Sequence, residues 1–351
     1  MTTAAPPLDY HDNSQNYYGE VLSGTADLKT SACCMADAPP MWLRDSITRL
    51  PEEILTKFYG CGSPLPLALD GCTVVDLGCG TGRDIYTAAQ FVGPKGKLIG
   101  VDLTVSQLEV ANRYRGELSQ SFGLPDEAIR FVQGPLEDLG ALGIEEGSVD
   151  VVISNCVLNL CPDKRIVLDQ IASVLKPGGE LYFSDVFASR RLPDSLKNDP
   201  TFHGECLGGA WYWEDFRRLL AGLQMPDYRV MNQDPLDVED ESMRIRSEGI
   251  LFESATIRAF KLPSLEDRCE DYGQVVTYKG TVPQCPRVFE LDPSHRFEVG
   301  KPERVCGNSA AMIEETRLAK HFEVHGNRDQ HFGLFDCEDE SAKPILPSSC
   351  C

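Results

Sequence analysis

The chain has 351 residues, 42% of them hydrophobic, enough for one full α/β domain and a smaller second one. Its formal net charge of −21 repels nucleic acid, anionic membranes and anionic substrates, so a neutral substrate with a cationic cosubstrate suits it better. No run nears the ~18 apolar residues of a membrane span, and MTTAAPPLDYHDN lacks the basic and apolar regions of a secretory signal, so a cytoplasmic location is expected.

Residues 1–14 are expected to be disordered. Tyr17 to Cys34 mixes short polar and apolar pieces and ends on a vicinal thiol pair. Met41 to Phe58 has helical character, broken in two by Pro51. The loop FYGCGSPLP then carries Tyr59 and Cys61 up to the first strand. Residues 1–70 are thus expected to act as a lid over the carboxyl ends of a sheet, where α/β ligands sit.

Val74 to Leu77 reads as a buried parallel strand, apolar and β-branched apart from Asp76. Gly78, Gly80 and Gly82 follow, then a helical pattern from Arg83, so a glycine turn feeds a helix as in nucleotide-binding units. The dinucleotide fingerprint needs Gly or Ala at position 83, where this chain has Arg83. Asp102 closes the next apolar run, KLIGVD, placed to hold ribose hydroxyls, with Leu103 beside it, and Asp76 suits a ligand bearing an ammonium group. The stretch resembles the class I S-adenosylmethionine-dependent methyltransferases. That resemblance implies a Rossmann-like seven-stranded sheet and a cofactor site built on Asp76, Gly78, Gly80, Gly82, Asp102 and Leu103.

Strand 97–102 leads to a helix from Thr104, with Thr104 and Gln107 spaced as a capping box; Gln107 is also a candidate adenosine contact. Ile129 to Gln133 is the third strand, and in Gly134 to Leu139, where an adenine edge lies in this fold, Leu136 and Glu137 are candidate contacts. Ser148 to Ser154 is the fourth strand. A helix over Asp163 to Leu175 stops at KPGG, and Glu180 to Val186 is the fifth strand. Residues 204–223 read as helical, with Trp211 and Trp213 packing on the sheet. Strands near 227–232 and 254–261 complete it. After Leu262 short strand-like runs (QVVTYKG, HRFEVG, HFEVHG) separated by Pro and Gly predict a small α+β or β-rich domain. The expected divisions are 1–70, 71–262, 263–333 and an unstructured tail, 334–351, holding Cys350 and Cys351.

Fourteen cysteines in a reducing compartment point to metal binding or redox chemistry. There is no C-x-x-C pair and His is scarce, which argues against a zinc knuckle. Cys156, after Asn155 at the end of the fourth strand, occupies the position that faces the donor methyl in a class I methyltransferase. Cys33, Cys61, Cys156 and Cys206 lie in segments expected to converge over one sheet edge. Thiolates converging without His or carboxylate partners select soft, thiophilic ions. A four-cysteine zinc site, or Cys156 as a small buried hydrophobe, are the structural alternatives.

From Tyr17 to about residue 330 the motifs YYGEVL, DLKTSAC, YGCG, DLGCGTGRD, VDLT, SNCVLNLCPDK, LKPGGELYFSDV and GECLGGA resemble those of arsenite methyltransferases. The resemblance implies that Cys156 and Cys206 bind As(III), that Cys61 supplies a third sulfur, and that Cys33, or adjacent Cys34, is its redox partner. It implies arsenite and methylarsenite as substrates, S-adenosylmethionine as methyl donor, and glutathione or thioredoxin as reductant. Tyr59 would pack beside the sulfonium, Asn155 would touch the donor, Glu205 would orient Cys206, and the protein would be a monomer. A methyltransferase of a small organic acceptor, or a non-enzymatic thiol protein that sequesters soft metals, are the competing readings.

Overall fold

The computed structural model describes residues 9–18, 39–58, 60 and 62–336. The elements before the sheet are α1 (Tyr10–Asn16), α2 (Met41–Ile47) and α3 (Glu52–Thr56), with Pro51 capping α3 as the break expected there. The sheet domain runs β1 (Thr73–Leu77), α4 (Arg83–Ala89), β2 (Lys97–Asp102), α5 (Val105–Ser121), β3 (Ile129–Gln133), β4 (Val149–Asn155), α6 (Lys164–Val174) and β5 (Leu175–Ala188). It continues with α7 (Asp194–Lys197), α8 (Pro200–Gly204), β6 (Trp211–Tyr212), α9 (Trp213–Ala221), β7 (Tyr228–Leu236), α10 (Glu241–Arg246) and β8 (Phe252–Phe260). Among the described residues no helix is long and apolar enough to cross a membrane.

The seven-strand path is β3-β2-β1-β4-β5-β8-β7, with β6 pairing the far end of β5. The first five strands of that path are parallel and β8 and β7 antiparallel. Both faces are covered, which is why these strands carry near-continuous apolar runs. Val74, Leu98, Ile129 and Val151 meet α4 and α5, whereas Val75, Leu77, Val152 and Phe183 meet α6 and α9, as strand alternation requires.

Four local readings are corrected. Residues 10–14 are helical, because α1 docks on the sheet domain far away in sequence: Asn13 Nδ2 donates to His203 Nδ1 at 2.8 Å. Thr104 makes no side-chain cap to α5; Asp102 Oδ1 accepts from its backbone N–H at 2.8 Å instead, which releases Gln107 from capping. KPGG does not interrupt the fifth strand, since β5 starts at Leu175 with a register shift opposite Val149 and Val151. The helical reading of 204–223 holds only from Trp213, because the chain first turns at 205–210 and adds β6. Trp213 stacks on Phe187 at 3.9 Å between centroids, the packing role expected of it.

Beyond residue 262, β9 (Val275–Tyr278) lies between β12 (Pro302–Arg304) and β13 (Phe322–His325), beside a hairpin of β10 (Val288–Asp292) and β11 (His295–Glu298) and helix α11 (Gly307–Glu314). This α+β unit is bolted to the sheet through Glu180, which is wholly buried. Arg258 Nε meets Glu180 Oε1 at 2.6 Å, Arg317 pairs with Oε2, and Arg317 also donates to the Ala68 and Leu67 carbonyls. Glu180→Ala would strand two guanidinium groups in the interior, so a loss of about 3–5 kcal/mol in unfolding free energy is expected by denaturant titration.

Candidate active site

Strand order reverses between β1 and β4, the place where open α/β sheets bind ligands. The turns leaving these strands open a cleft of about 980 Å³, its solvent-open mouth included. Of the residues expected at a cofactor site, Asp76, Gly78, Gly80, Asp102, Leu103, Gln107, Leu136, Glu137 and Asn155 line it, and so does Cys156. Gly82 instead caps α4, and a Cβ there would meet the Phe131 ring at 2.9 Å, so its constraint is packing. Tyr59, Cys33, Cys34, Cys61, Cys350 and Cys351 lie outside the described residues.

The turn after β1 is held open by Asp102, whose Oδ2 accepts from Gly80 N–H at 2.8 Å. Gly78 and Gly80 both have positive φ, +76° and +52°. A Cβ on Gly78 would strike Val157 at 2.2 Å, while one on Gly80 would find nothing nearer than Gln107 Oε1 at 3.9 Å and would project into the cleft. Gln107 is buried, and its Oε1 finds no hydrogen-bond donor among the described residues. Glu137 Oε2 is in the same position, its other oxygen meeting His11 Nε2 at 3.1 Å. A ligand carrying donors would satisfy these acceptors.

Asp76, Asp84 and Asp102 line the same cleft. Burial, and then repulsion from Asp84 and Asp102, push the Asp76 carboxyl well above the usual range, against the pull of Arg83. Asp102 is also raised by burial, with the backbone N–H groups of Thr104 and Gly80 opposing. Three acids around one cavity leave it short of positive charge, which a cationic ligand would supply.

Sequence reasoning expected residues 1–70 over this end of the sheet but named none of the side chains that residues 9–18 bring to the cleft. His11, Ser14 and Tyr18 line the cleft, as does Phe58, whose ring lies 3.6 Å under the Arg83 guanidinium. The signal was present: Asp9 accepts from Asp12 N–H as an N-cap, a pattern legible in DYHDN. Asn155, which lines the cleft, also holds the segment that precedes β1. Its side chain exchanges hydrogen bonds with both backbone groups of Gly62, at 2.8 and 3.1 Å, and reaches Asp84, so it fastens the segment leading into β1 to β4.

Across 50 residues of sequence, Cys206 Sγ donates to the Cys156 backbone carbonyl at 3.2 Å. Both have left-handed backbones, φ +56° at Cys156 and +61° at Cys206. Among the described residues only Ala68 and Gln224 share that feature outside glycine. Tyr18 Oη lies 3.5 Å from Cys206 Sγ, and Glu205 accepts from Tyr17 Oη, so α1 closes over this corner and Glu205 serves that closure. Cys156 is held in a disulfide, which adds a redox state to the ligand role expected of it. Cys161 also lines the cleft, its thiol raised by burial. Among the described residues no three His, Cys, Asp or Glu side chains form a metal-holding group.

Residues 68–222 match a family described as a methyltransferase domain, and residues 271–346 match the arsenite methyltransferase C-terminal domain. An arsenite methyltransferase of Aquipseudomonas alcaligenes is 46% identical over 347 residues, covering 97% of this chain and 100% of that protein. The chain belongs to the arsenite methyltransferase family. It is therefore an S-adenosylmethionine-dependent methyltransferase. The mouse arsenite methyltransferase is 40% identical, covering 92% of this chain and 85% of its own. Among solved structures, an arsenic(III) S-adenosylmethionine methyltransferase from Chlamydomonas reinhardtii superposes with a TM-score of 0.81 at 45% identity, covering 85% of this chain and 100% of that one.

In this arsenite methyltransferase family member, the strain at the two cysteines has a measurable consequence. An L-residue in the left-handed region costs roughly 1–2 kcal/mol that glycine does not incur. Cys206→Gly is expected to melt above Cys206→Ala in thermal unfolding, an inversion of the usual order for glycine and alanine.

Proposed function

We propose that the chain methylates trivalent arsenic held by Cys156 and Cys206, taking arsenite and then methylarsenite, presented as thiol conjugates. The observation that carries this reading is the Cys206 sulfur standing 3.2 Å from the Cys156 backbone at the rim of the β1–β4 cleft. S-adenosylmethionine fits that cleft by its chemistry, and when bound it supplies an electrophilic methyl on a sulfonium. Asp76 would accept a hydrogen bond from its ammonium, Asp102 and Leu103 would flank the ribose, and Gln107, Leu136 and Glu137 would meet the adenine. Gly78 and Gly80 keep the wall free of side chains.

Arsenite is neutral at physiological pH, so an acidic chain does not repel it. Each thiol replaces one hydroxide, the sulfur proton leaving with that hydroxide as water. The pyramidal As(III) keeps a lone pair that accepts the methyl, so no general base is needed and positioning is the enzyme's main contribution. Methyl transfer raises arsenic to As(V), and two electrons must return it to As(III). Two thiols closing to a disulfide supply them, which gives Cys61 and Cys33, or Cys34, a relay role beside Cys61 as third arsenic ligand. The disulfide at Cys156 supports such redox cycling, and glutathione or thioredoxin would reopen it by exchange.

The test is to incubate the reduced protein with arsenite, S-adenosylmethionine and thiol and separate the arsenic species. Methylated arsenic is expected, and its absence from folded, donor-binding protein would end the reading.

A further inference from the structure

We propose that Lys164 is a positioning residue for the arsenic-binding corner, clamping the loop that carries Cys206. This rests on the reading of Cys206 as an arsenic ligand. Lys164 opens helix α6, where a cation opposes the positive end of the helix dipole. Partly withdrawing an ammonium from water there is a further cost. Neither feature favours the helix, so a compensating role has to lie in the contacts it makes.

Those contacts converge on residues 204–209. The Lys164 ammonium donates to the Gly209 carbonyl and, at 3.2 Å, to Asn159 Oδ1, while lying 3.9 Å over the Trp211 ring. Asn159, fully buried, donates from Nδ2 to the Cys206 carbonyl at 3.4 Å and to the Val186 carbonyl at 2.8 Å. Its own backbone N–H is anchored on Asp185 Oδ2 at 3.0 Å. The two turns approach so closely that a Cβ on Gly209 would sit 1.8 Å from the Asn159 carbonyl oxygen. Cys206 therefore keeps its strained backbone because the loop is bolted at both ends: by Asn159 at its carbonyl and by Lys164 three residues on. None of these contacts reaches the acids of the donor cleft, so the clamp acts on arsenic and not on the cofactor.

The experiment compares the full-length reduced protein with Lys164→Met, Lys164→Arg and Cys206→Ser by calorimetric titration, once with arsenite and once with S-adenosylmethionine. Lys164→Met should weaken arsenite binding about tenfold or more while donor affinity stays within about twofold. Lys164→Arg, which keeps donors for the Gly209 carbonyl, should recover most of that loss. The inference is overturned if Lys164→Met binds arsenite as the parent does, or loses arsenite and donor alike. Should Lys164→Met not fold, Lys164→Gln is read by the same criteria. If Cys206→Ser binds arsenite like the parent, the ligand reading itself has failed; if Cys206→Ser loses arsenite and Lys164→Met does not, only the clamp has.

Discussion

Replacing Cys206 by serine is expected to lower arsenite methylation by about a thousandfold or more while leaving donor binding within about twofold. Serine keeps the size of the side chain and can still donate to the Cys156 carbonyl, so the loop conformation survives. What is lost is the soft sulfur. A hydroxyl oxygen neither displaces hydroxide from As(III) with comparable affinity nor resists exchange with water, so arsenic would no longer be held over the cleft. Cys156→Ser should behave in the same way, since both positions are asked to hold one atom. The measurement is product formation by arsenic speciation, paired with a donor titration on the same samples. Activity retained in Cys206→Ser would point to a small organic acceptor or to other thiols, and the proposed site would fall.

Asp76→Asn is expected to weaken S-adenosylmethionine binding ~10- to 100-fold, the worth of one charge-assisted hydrogen bond. The same change should stabilise the ligand-free protein by about 1–2 kcal/mol. Burial and the neighbouring Asp84 and Asp102 raise the Asp76 pKa, so the folded state binds this proton more tightly than the unfolded state does. By linkage the folded protein is favoured at low pH, and that advantage is lost as pH rises from the unfolded pKa through the raised folded one. Above the raised pKa the charged carboxylate is a net cost until a cation arrives, and asparagine removes that cost. Donor affinity of the parent should fall as pH drops through the raised pKa, whereas the Asp76→Asn variant should show a flat profile in this range. A melting temperature that drops while affinity is unchanged would contradict both halves.

Much of the architecture was legible because it is written in short-range periodicity. The apolar runs at 74–77, 97–102 and 129–133, and the helix capped by Asp163, follow from patterns of period 2 and 3.6 that need no knowledge of neighbours. The glycine turn and the acids at 76 and 102 were legible for the same reason. Readings failed where a distant partner decides the outcome. Helix α1 looks like a polar tail until His203, 190 residues away, accepts from Asn13, and Tyr10 packs edge-on against the same ring. Thr104 and Gln107 have capping-box spacing, but Asp102 reaches the Thr104 N–H first, and Gln107 turns into the cleft.

By itself the amino-acid order determined the succession of strands and helices, the glycine-lined turn at the first of them, and the supply of thiols and carboxylates. Those are properties of residues close together in the chain, where backbone geometry alone decides which side chains share a face. Only the tertiary structure decided that the Cys206 sulfur reaches the Cys156 backbone, that Asn155 fastens the segment before β1, and that Lys164 and Asn159 brace Cys206. The physical reason is that these contacts join loops, whose paths are set by how closely the packed elements behind them approach, as at Gly209 against Asn159.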